Sequence, residues 1–341
     1  MNLAELNKIA NAMVAKGKGI LAADESTGTI KKRFDKIGVE STEANRRDYR
    51  ELLFRTNDAM KNYISGVILY DETIRQKAKD GTPLVKLIEQ AGSVPGIKVD
   101  NGAKLLALSK DETVTEGLDG LRERLIEYHR LGARFAKWRA TYDPTEGRPS
   151  YNCINANAQA LARYAALCQE NGIVPIVEPE VLMDGDNTIE TCEAVTEWVL
   201  KETFQQLYYA NIAMEGMILK PNMVVAGKKA ARQAGVDEVA EKTVKLLKRC
   251  VPSAVPGIAF LSGGQSDEEA TAHLNAMNAG YDLPWALTFS YGRALQAAPQ
   301  KAWGGKADNV AAAQAAFAHR ARMNGLAAAG QWKPDLEKKA A

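Results

Sequence analysis

Eight short apolar segments recur along the chain, and they constrain its fold more than any other feature. Each is rich in Ile, Val, Leu or Phe and lacks the polar–apolar alternation of a half-exposed strand, which predicts strands covered on both faces. The segments are residues 19–24, 66–71, 96–100, 134–140, 173–180, 216–222, 257–264 and 285–292. Their starts lie between 28 residues (257 to 285) and 47 residues (19 to 66) apart, which leaves room each time for a crossover helix.

Amphipathic or alanine-rich patterns in the gaps between these segments predict helices. The predicted helices are residues 42–55, 118–131, 155–170, 188–209, 237–250 and 310–329. Ser41 and Asp308 stand just before the first and the last of them. Because side-chain oxygens in that position accept hydrogen bonds from the free N–H groups of the first turn, we expect Ser41 and Asp308 to cap these two helices.

Eight strand–helix units predict one α/β domain, a single (β/α)8 barrel of the TIM type, over residues 1–330. Residues 331–341 are expected to form a short, loose C-terminal tail. The alternative is a doubly wound sheet, which normally has about five or six parallel strands and a glycine-rich first turn. The first turn here, residues 24–29, contains a single glycine, Gly28, and this favours the barrel.

The composition excludes several classes of protein. Hydrophobic residues make up 46% and charged residues 25% of the chain, as in globular domains and unlike disordered or collagen-like chains. The net charge of +2 gives no bulk attraction to nucleic acid or to a membrane surface, and no basic stripe carries interleaved aromatic residues. The sequence has no run of about 18 apolar residues and no apolar export signal. We therefore expect a cytoplasmic protein without a nucleic-acid or membrane partner.

The cysteines and histidines are too few and too scattered to predict a metal centre. Cys153, Cys168, Cys192 and Cys250 form no CxxC pair, and we expect reduced thiols. The three histidines form neither an HxH nor an HxxxH pair, which argues against a catalytic zinc site and against a Ser-His-Asp triad. Acid–base chemistry is therefore expected from carboxylates, lysines or tyrosines, with no metal.

Charged residues interrupt the apolar segments near their carboxyl-terminal ends, where barrel enzymes carry their active sites. They are Asp24, Lys98, Asp100, Lys137, Arg139, Glu178, Glu180 and Lys220. A structural ion pair would explain any one of them alone, since a buried charge is costly unless it is paired. Because the whole set falls at one rim, we interpret it as the polar mouth of an active site.

The lysines in this set suggest nucleophilic chemistry. A lysine among other cations and apolar walls loses its proton more readily, and the neutral amine can attack a ketone to form a Schiff base. Lys220 lies in the segment MILKPN, and Lys137 and Arg139 would supply neighbouring positive charge. Glu178 and Asp24 would carry protons. The spacing leaves open which lysine is the nucleophile.

Two groups of residues have the character of phosphate sites. Loops after the seventh and eighth strands of barrels often bind phosphate, and here they contain Ser262-Gly263-Gly264 and Gly292-Arg293. The second group consists of Ser26, Thr29, Arg33 and Lys98. Tight turns would also explain the first group, and helix capping beside a solvated basic run would explain the second. Two phosphate sites flanking a reactive lysine would suit a ketose with a phosphate at each end.

Long motifs follow one another along the chain: GKGILAADES (17–26), GIKVD (96–100), FAKWR (135–139), NGIVPIVEPE (171–180), LKPNMV (219–224), FLSGGQS (260–266), PWALTFSYGRALQ (284–296) and KAWGG (301–305). From about residue 5 to about residue 330, the chain resembles a known family, class I fructose-1,6-bisphosphate aldolase. The resemblance implies a cytoplasmic lyase of glycolysis and gluconeogenesis, without metal or other cofactor and usually a homotetramer. Its reaction is the reversible cleavage of fructose 1,6-bisphosphate to dihydroxyacetone phosphate and glyceraldehyde 3-phosphate.

The resemblance also implies roles for individual residues. The lysine of LKPN, Lys220, would form the Schiff base, and Glu178, with Glu180 beside it, would serve as the acid–base group. Asp24 would take the proton from the C4 hydroxyl, while Lys137 would support the charge of the carbinolamine, assisted by Arg139. The C1 phosphate would meet Ser262, Gly263, Gly264, Ser290, Gly292 and Arg293. The C6 phosphate would meet Ser26, Thr29, Arg33 and Lys98.

The chain departs from familiar members at three places, one of which is the loop 141–152, whose sequence differs from that of animal forms. Thr29 stands where several members have serine, and its extra methyl group is expected to shift the pose of the C6 phosphate. Animal members end in a tail whose terminal tyrosine helps to exchange a proton on the enamine, whereas the last tyrosine here is Tyr291. That step would pass to Tyr291, Glu178 or water.

Two other functions are alternatives to the one that the resemblance implies. Another Schiff-base enzyme, such as transaldolase or tagatose-bisphosphate aldolase, is the alternative among enzymes. The two phosphate sites and the VEPE and LKPN motifs argue against transaldolase. No sequence pattern distinguishes between substrates that are epimers at C4, so tagatose-bisphosphate aldolase stays an alternative. A non-catalytic sugar-phosphate binder is the alternative outside enzymes, and the presence of every catalytic position, Lys220 and Asp24 included, argues against it.

Overall fold

The computed structural model describes residues 1–145 and 147–339, and eight parallel strands in it close into a barrel. The barrel strands are β1 (Gly19–Ala23), β2 (Ile64–Leu69), β3 (Val94–Lys98), β6 (Phe135–Tyr142), β7 (Val174–Val181), β8 (Ile218–Leu219), β9 (Gly257–Phe260) and β10 (Ala286–Tyr291). They are hydrogen-bonded in chain order, and β10 closes the ring on β1 through the pairs Ile20–Ser290 and Leu21–Tyr291. The predicted (β/α)8 barrel is confirmed, and all eight predicted segments contribute a strand.

A short antiparallel hairpin between β3 and β6 was not predicted. Its strands are β4 (Ala103–Leu105) and β5 (Thr113–Thr115), which lie outside the barrel. β4 is exposed along its whole length, and neither strand carries a run of apolar residues. The sequence therefore contains no burial pattern from which this hairpin could be found.

Helices fill the connections between the strands and surround the barrel. They are α1 (Leu3–Met13), α2 (Thr27–Asp35), α3 (Glu43–Phe54), α4 (Asn57–Tyr63), α5 (Asp71–Arg75), α6 (Leu84–Gln90), α7 (Leu121–Arg130), α8 (Tyr151–Glu170), α9 (Ile189–Tyr209), α10 (Val236–Cys250), α11 (Asp267–Gly280), α12 (Arg293–Trp303) and α13 (Val310–Ala328). Among the described residues, no helix combines the length and the apolar character needed to cross a membrane.

The two predicted helix caps were wrong. Thr42, one residue after Ser41, caps α3, because its side chain accepts a hydrogen bond of 3.1 Å from Asn45 N. Asp308 lies inside a 3-10 turn (Ala307–Asn309) that leads directly into α13. The position before α13 is therefore taken by Asn309, whose side chain makes no capping bond.

The barrel interior separates into an apolar end and a polar end. Side chains of the strands and of α1 form one buried cluster, which closes the amino-terminal end of the barrel: Leu6, Ala10, Met13, Val14, Ile20, Ala22, Ile68, Phe135, Val174, Ile176, Ile218 and Ala259. With α1 acting as an apolar plug at this end, the charged residues of the strands are gathered at the carboxyl-terminal end, as barrel enzymes require.

Candidate active site

A cavity of about 930 Å³ opens at the carboxyl-terminal end of the barrel. The predicted site residues that line it are Asp24, Ser26, Thr29, Arg33, Lys98, Lys137, Arg139, Glu178, Glu180, Lys220, Ser262, Gly263, Ser290, Gly292 and Arg293. Gly264 lies outside the lining that the described residues form, and its backbone packs against the side chain of Met183. Tyr291 is also outside it, because its ring is buried and its hydroxyl donates 2.9 Å to Ala270 O on α11.

The carboxylate of Glu178 stands between two lysines on the floor of the cavity. Its Oε1 lies 3.1 Å from Lys220 Nζ, and its Oε2 lies 3.1 Å from Lys137 Nζ. Lys220 is 4% exposed and Glu178 is 3% exposed, so this contact is shielded from bulk water. The strands fix the arrangement, because β7 lies between β6 and β8 and presents Glu178 to both neighbours.

Asp24 contacts Lys137 from the side of the barrel opposite to Glu178. Lys137 Nζ donates a hydrogen bond of 3.0 Å to Asp24 Oδ2. Burial opposes the ionisation of Asp24, but the charges of Lys137 and Lys220 prevail and lower its pKa to about 2. Burial likewise favours the neutral form of Lys137, but Asp24, Glu178 and Asp100 hold its pKa well above the usual range. Lys137 is therefore a fixed positive charge beside an ionised Asp24.

Further ion pairs fix the polar side chains on β3 and β6. Lys98 Nζ lies 2.7 Å from Asp100 Oδ1 and donates 2.6 Å to the carbonyl oxygen of the same residue. Arg139 Nε donates to Glu180 Oε2 on the neighbouring strand. Burial would lower the pKa of Arg139, but the charge of Glu180 raises it above the usual range. Arg139 thus remains charged at the edge of the cavity.

The loops after β9 and β10 offer polar groups on one side of the cavity. Ser290 Oγ is buried and makes no hydrogen bond within the described part of the chain. Arg293 Nη1 lies 2.6 Å from Asp267 Oδ1, and its Nη2 donates to the carbonyl oxygens of Ser262 and Gln265. The arginine therefore braces the loop 262–266 against the start of α12.

The residues after β1 form the opposite side. Ser26 caps α2, since its Oγ accepts a hydrogen bond from Thr29 N at 3.4 Å, and it lies 3.1 Å from Thr29 Oγ1. Helix capping, the other explanation given for this group, is therefore correct for Ser26. Ser26 and Thr29 nevertheless both line the cavity. Arg33 Nη1 donates to Glu25 Oε1, which also accepts a bond of 2.7 Å from Gln296 Nε2.

Several residues that line the cavity were given no individual role by the sequence. Glu25 and Asp100 pair with Arg33 and Lys98, and both belong to motifs already recognised, GKGILAADES and GIKVD. Residues from α5 and α7 line the rim beyond them: Asp71, Arg75, Arg124, Glu127 and Tyr128. Asp71 ends the apolar segment 66–71, so its charge at that place was a signal in the sequence that the prediction did not use. The residues of α7 follow no apolar strand, and the sequence had no signal that would place them at the rim.

The structure brings few metal-type ligands together. Within residues 1–145 and 147–339, no three His, Cys, Asp or Glu side chains are grouped as they would be to hold a metal ion. Cys153, Cys168, Cys192 and Cys250 are free thiols, of which the first three are buried.

Comparisons with known proteins agree on one family. The family profile described as "Glycolytic: Fructose-bisphosphate aldolase class-I" matches residues 5–341. A probable fructose-bisphosphate aldolase class 1 of Xanthomonas campestris pv. campestris is 59% identical over 334 residues, 98% of this chain and 100% of the relative. The non-muscle fructose-bisphosphate aldolase of Lethenteron camtschaticum is 54% identical over 331 residues, 97% of this chain and 91% of the relative. A solved structure of the Plasmodium falciparum fructose-bisphosphate aldolase, in complex with TRAP and an inhibitor, is similar with a TM-score of 0.95 and 50% identity, covering 97% and 96% of the two chains.

Proposed function

The chain belongs to the family of class I fructose-bisphosphate aldolases, lyases that need no metal ion, and we propose that its reaction runs through Lys220, Glu178 and Asp24. The substrate is fructose 1,6-bisphosphate, cleaved reversibly to dihydroxyacetone phosphate and glyceraldehyde 3-phosphate. The observation that carries the assignment of roles is the position of Glu178 between two lysines, 3.1 Å from Lys220 Nζ and 3.1 Å from Lys137 Nζ.

In the first half of the reaction, Lys220 Nζ attacks the C2 carbonyl of the open-chain sugar. The amine forms a bond to C2, and the resulting carbinolamine loses its oxygen as water to give the Schiff base. Glu178 is within hydrogen-bonding distance of Lys220 Nζ and serves as the acid–base group for these proton transfers. Lys137, held in its charged form, stabilises the negative charge that develops on the oxygen.

In the second half, Asp24 accepts the proton of the C4 hydroxyl while the C3–C4 bond breaks. The bonding electrons pass to the Schiff base, which becomes an enamine, and glyceraldehyde 3-phosphate leaves. Asp24 is suited to this step because its low pKa, caused mainly by Lys137 and Lys220 against the opposing effect of burial, keeps it ionised. Lys137 lies 3.0 Å from Asp24 Oδ2 and orients the carboxylate toward the cavity.

The two phosphates of the substrate are bound at opposite sides of the cavity. Ser262, Gly263, Ser290, Gly292 and Arg293 would receive the C1 phosphate, with Ser290 Oγ offering a hydroxyl that makes no hydrogen bond to any described residue. Gly264 lies outside the lining that the described residues form, so we do not assign it a contact with the C1 phosphate. The C6 phosphate would contact Ser26, Thr29, Arg33 and Lys98, with Arg139 and Glu180 at the neighbouring edge.

Borohydride trapping tests this proposal. The protein is incubated with fructose 1,6-bisphosphate and EDTA, reduced with borohydride, and mapped by peptide mass spectrometry. We expect one reduced adduct, on Lys220, with cleavage activity unaffected by EDTA. An adduct on Lys137 or Lys229 would refute the assignment of the nucleophile. Absence of any adduct, together with loss of cleavage in EDTA, would refute the Schiff-base mechanism.

We also propose that the protein is a cytoplasmic homotetramer, as members of this family usually are. The aromatic side chains of Trp198, Tyr208 and Tyr209 on α9 are exposed in the single chain, and contact with another subunit would remove their apolar surface from water. Size-exclusion chromatography with light scattering tests the subunit number, and a monomeric mass at micromolar concentration would refute the tetramer.

A further inference from the structure

The carboxylate of Glu337 attaches the last described segment of the chain to α13. Residues Pro334–Lys339 form a 3-10 turn, and the side chain of Glu337 in it is 10% exposed. Glu337 Oε2 lies 2.7 Å from Arg320 Nη1 and 2.9 Å from His319 Nε2, and its Oε1 accepts a bond of 3.0 Å from Trp332 Nε1. We call His319, Arg320, Trp332 and Glu337 the C-terminal clasp.

Arg320 extends from the clasp to the first turn of α11. Its Nη2 donates 2.7 Å to Thr271 Oγ1 and 3.2 Å to the carbonyl oxygen of Asp267. The side chain is 6% exposed, so its charge requires a partner, and Glu337 is the carboxylate within salt-bridge distance among the described residues. Glu337 therefore holds Arg320 against α11.

The side chain of Asp267 forms a salt bridge with Arg293, a residue of the active site. Its carbonyl oxygen accepts from Arg320, while its carboxylate Oδ1 lies 2.6 Å from Arg293 Nη1. Arg293 also donates to the carbonyl oxygens of Ser262 and Gln265, which belong to the loop on the C1-phosphate side. Two arginines, one from the clasp and one from the cavity, thus share a single aspartate.

From these contacts we infer that Glu337 is a positioning residue for Arg293, acting through Arg320 and Asp267. The inference rests on the proposed function, in which Arg293 binds the C1 phosphate. Glu337 neutralises Arg320, Arg320 fixes the first turn of α11, and that turn sets the place of the Asp267 carboxylate that orients Arg293. No part of the clasp lines the cavity, so its effect is on substrate affinity and not on the bond-making steps.

The expected consequence is a change in KM with little change in kcat. Without the negative charge of Glu337, Arg320 loses its counter-charge and the first turn of α11 loosens. Mutations along such a chain of contacts change coupling modestly, and we expect a rise of roughly threefold to tenfold in KM for fructose 1,6-bisphosphate. Amide hydrogen exchange in residues 262–271 should become faster for the same reason.

The test compares E337Q with D335N, a matched carboxylate-to-amide change on the same turn. Asp335 is 89% exposed and pairs with the exposed Lys338 at 3.5 Å, so D335N should behave as the unchanged protein. A chain truncated after Gly330 provides a second variant in which Arg320 is exposed to water, in case the buried amide of E337Q prevents folding. Each variant is measured for kcat, KM and hydrogen exchange, and E337Q is repeated in the R293A background.

The outcomes separate the inference from the proposed function. A raised KM in E337Q and in the truncated chain, absent from D335N and from the R293A background, supports the inference. Unchanged KM and unchanged exchange in both variants would overturn it, as would an equal rise in the R293A background. If the unchanged protein forms no adduct on Lys220, only the proposed function fails, and the exchange rates with the affinity for inorganic phosphate then decide the role of Glu337.

Discussion

Lys220 Nζ lies 3.1 Å from Glu178 Oε1, on a carboxylate whose other oxygen contacts a second lysine. The two lysines differ in their remaining partners. Lys137 also pairs with Asp24, whereas Glu178 is the carboxylate within salt-bridge distance of Lys220 among the described residues. This difference supports a division of roles, in which Lys137 stays charged and Lys220 reacts.

Replacing Lys220 by arginine should abolish Schiff-base formation. A guanidinium keeps the positive charge but stays protonated at any usable pH, so it has no free electron pair with which to attack the ketone. We expect kcat to fall by about a thousandfold or more and the borohydride adduct to disappear. The control is K228R, because Lys228 is exposed and pairs with Asp184 at 2.7 Å. Appreciable cleavage by K220R would contradict the assignment.

Replacing Glu178 by glutamine should slow the reaction without preventing substrate binding. The amide keeps the size of the side chain but neither accepts nor releases a proton near neutral pH, and loss of a general acid–base group lowers kcat by roughly a hundredfold to ten-thousandfold. The matched control is E51Q, since Glu51 is a buried carboxylate paired with Arg55 at 2.7 Å away from the cavity. A kcat for E178Q within threefold of the unchanged protein would show that another group moves the proton.

His273 should make stability depend on pH between about 6.5 and 4. Burial lowers its pKa from 6.5 to about 4, although Glu269 acts in the opposite direction. The unfolded chain therefore binds a proton at a pH where the folded chain does not, and folding stability is lost as pH falls through this window. The loss is about 3 kcal/mol at most.

The measurement for His273 is the free energy of unfolding by denaturant at several pH values, for the unchanged protein and for H273Q. His273 Nδ1 lies 2.6 Å from Gln265 Oε1, so H273Q is expected to cost some stability at every pH. The informative quantity is the slope of the free energy of unfolding against pH. Between pH 6.5 and 4 this slope should be smaller for H273Q than for the unchanged protein, and above pH 7 the two proteins should have the same slope. Equal slopes throughout the window would refute the prediction.

Gly264 should not tolerate a side chain, although it lies outside the cavity lining. Its φ of +80° is strained for alanine, and a Cβ there would lie 2.4 Å from Met183 Cγ. We expect G264A to reduce the free energy of unfolding by about 1–3 kcal/mol and to raise KM, since the loop carries Ser262 and Gly263. G280A, where a Cβ would meet no atom within 4 Å, is the control. Thermal unfolding and steady-state kinetics check both effects.

The fold could be predicted from the sequence because its signal is local. Each barrel strand is a short run of apolar residues, and the spacing of the runs allows a crossover helix each time, so counting them gives the barrel. Helix ends were less certain, since Ser41 and Thr42 are both good caps and only the backbone path selects Thr42. The exposed hairpin of β4 and β5 gave no signal, because it buries no regular face.

Much of the candidate site could also be predicted from the sequence, because a barrel places the carboxyl-terminal ends of all its strands at one rim. The residues at those ends were identified by charge in an apolar run, which is a feature of the sequence alone. Arg124 and Glu127 were not found, since they lie on an amphipathic helix where charged residues are the rule. Tyr291, one of three candidates for the exchange of the enamine proton, lies in the wrong place, because its side chain faces the helices and not the cavity.

The sequence by itself determined the architecture, the rim on which chemistry collects and, through its motifs, the family. Only the tertiary structure decided which charges meet. Asp24 and Lys137 are 113 residues apart yet share a hydrogen bond, and Glu337 reaches Arg320 from a segment expected to be a loose tail. The physical reason is that burial patterns act over one strand or one helix, whereas an ion pair depends on distances of a few ångströms between strands, and these are fixed when the barrel closes.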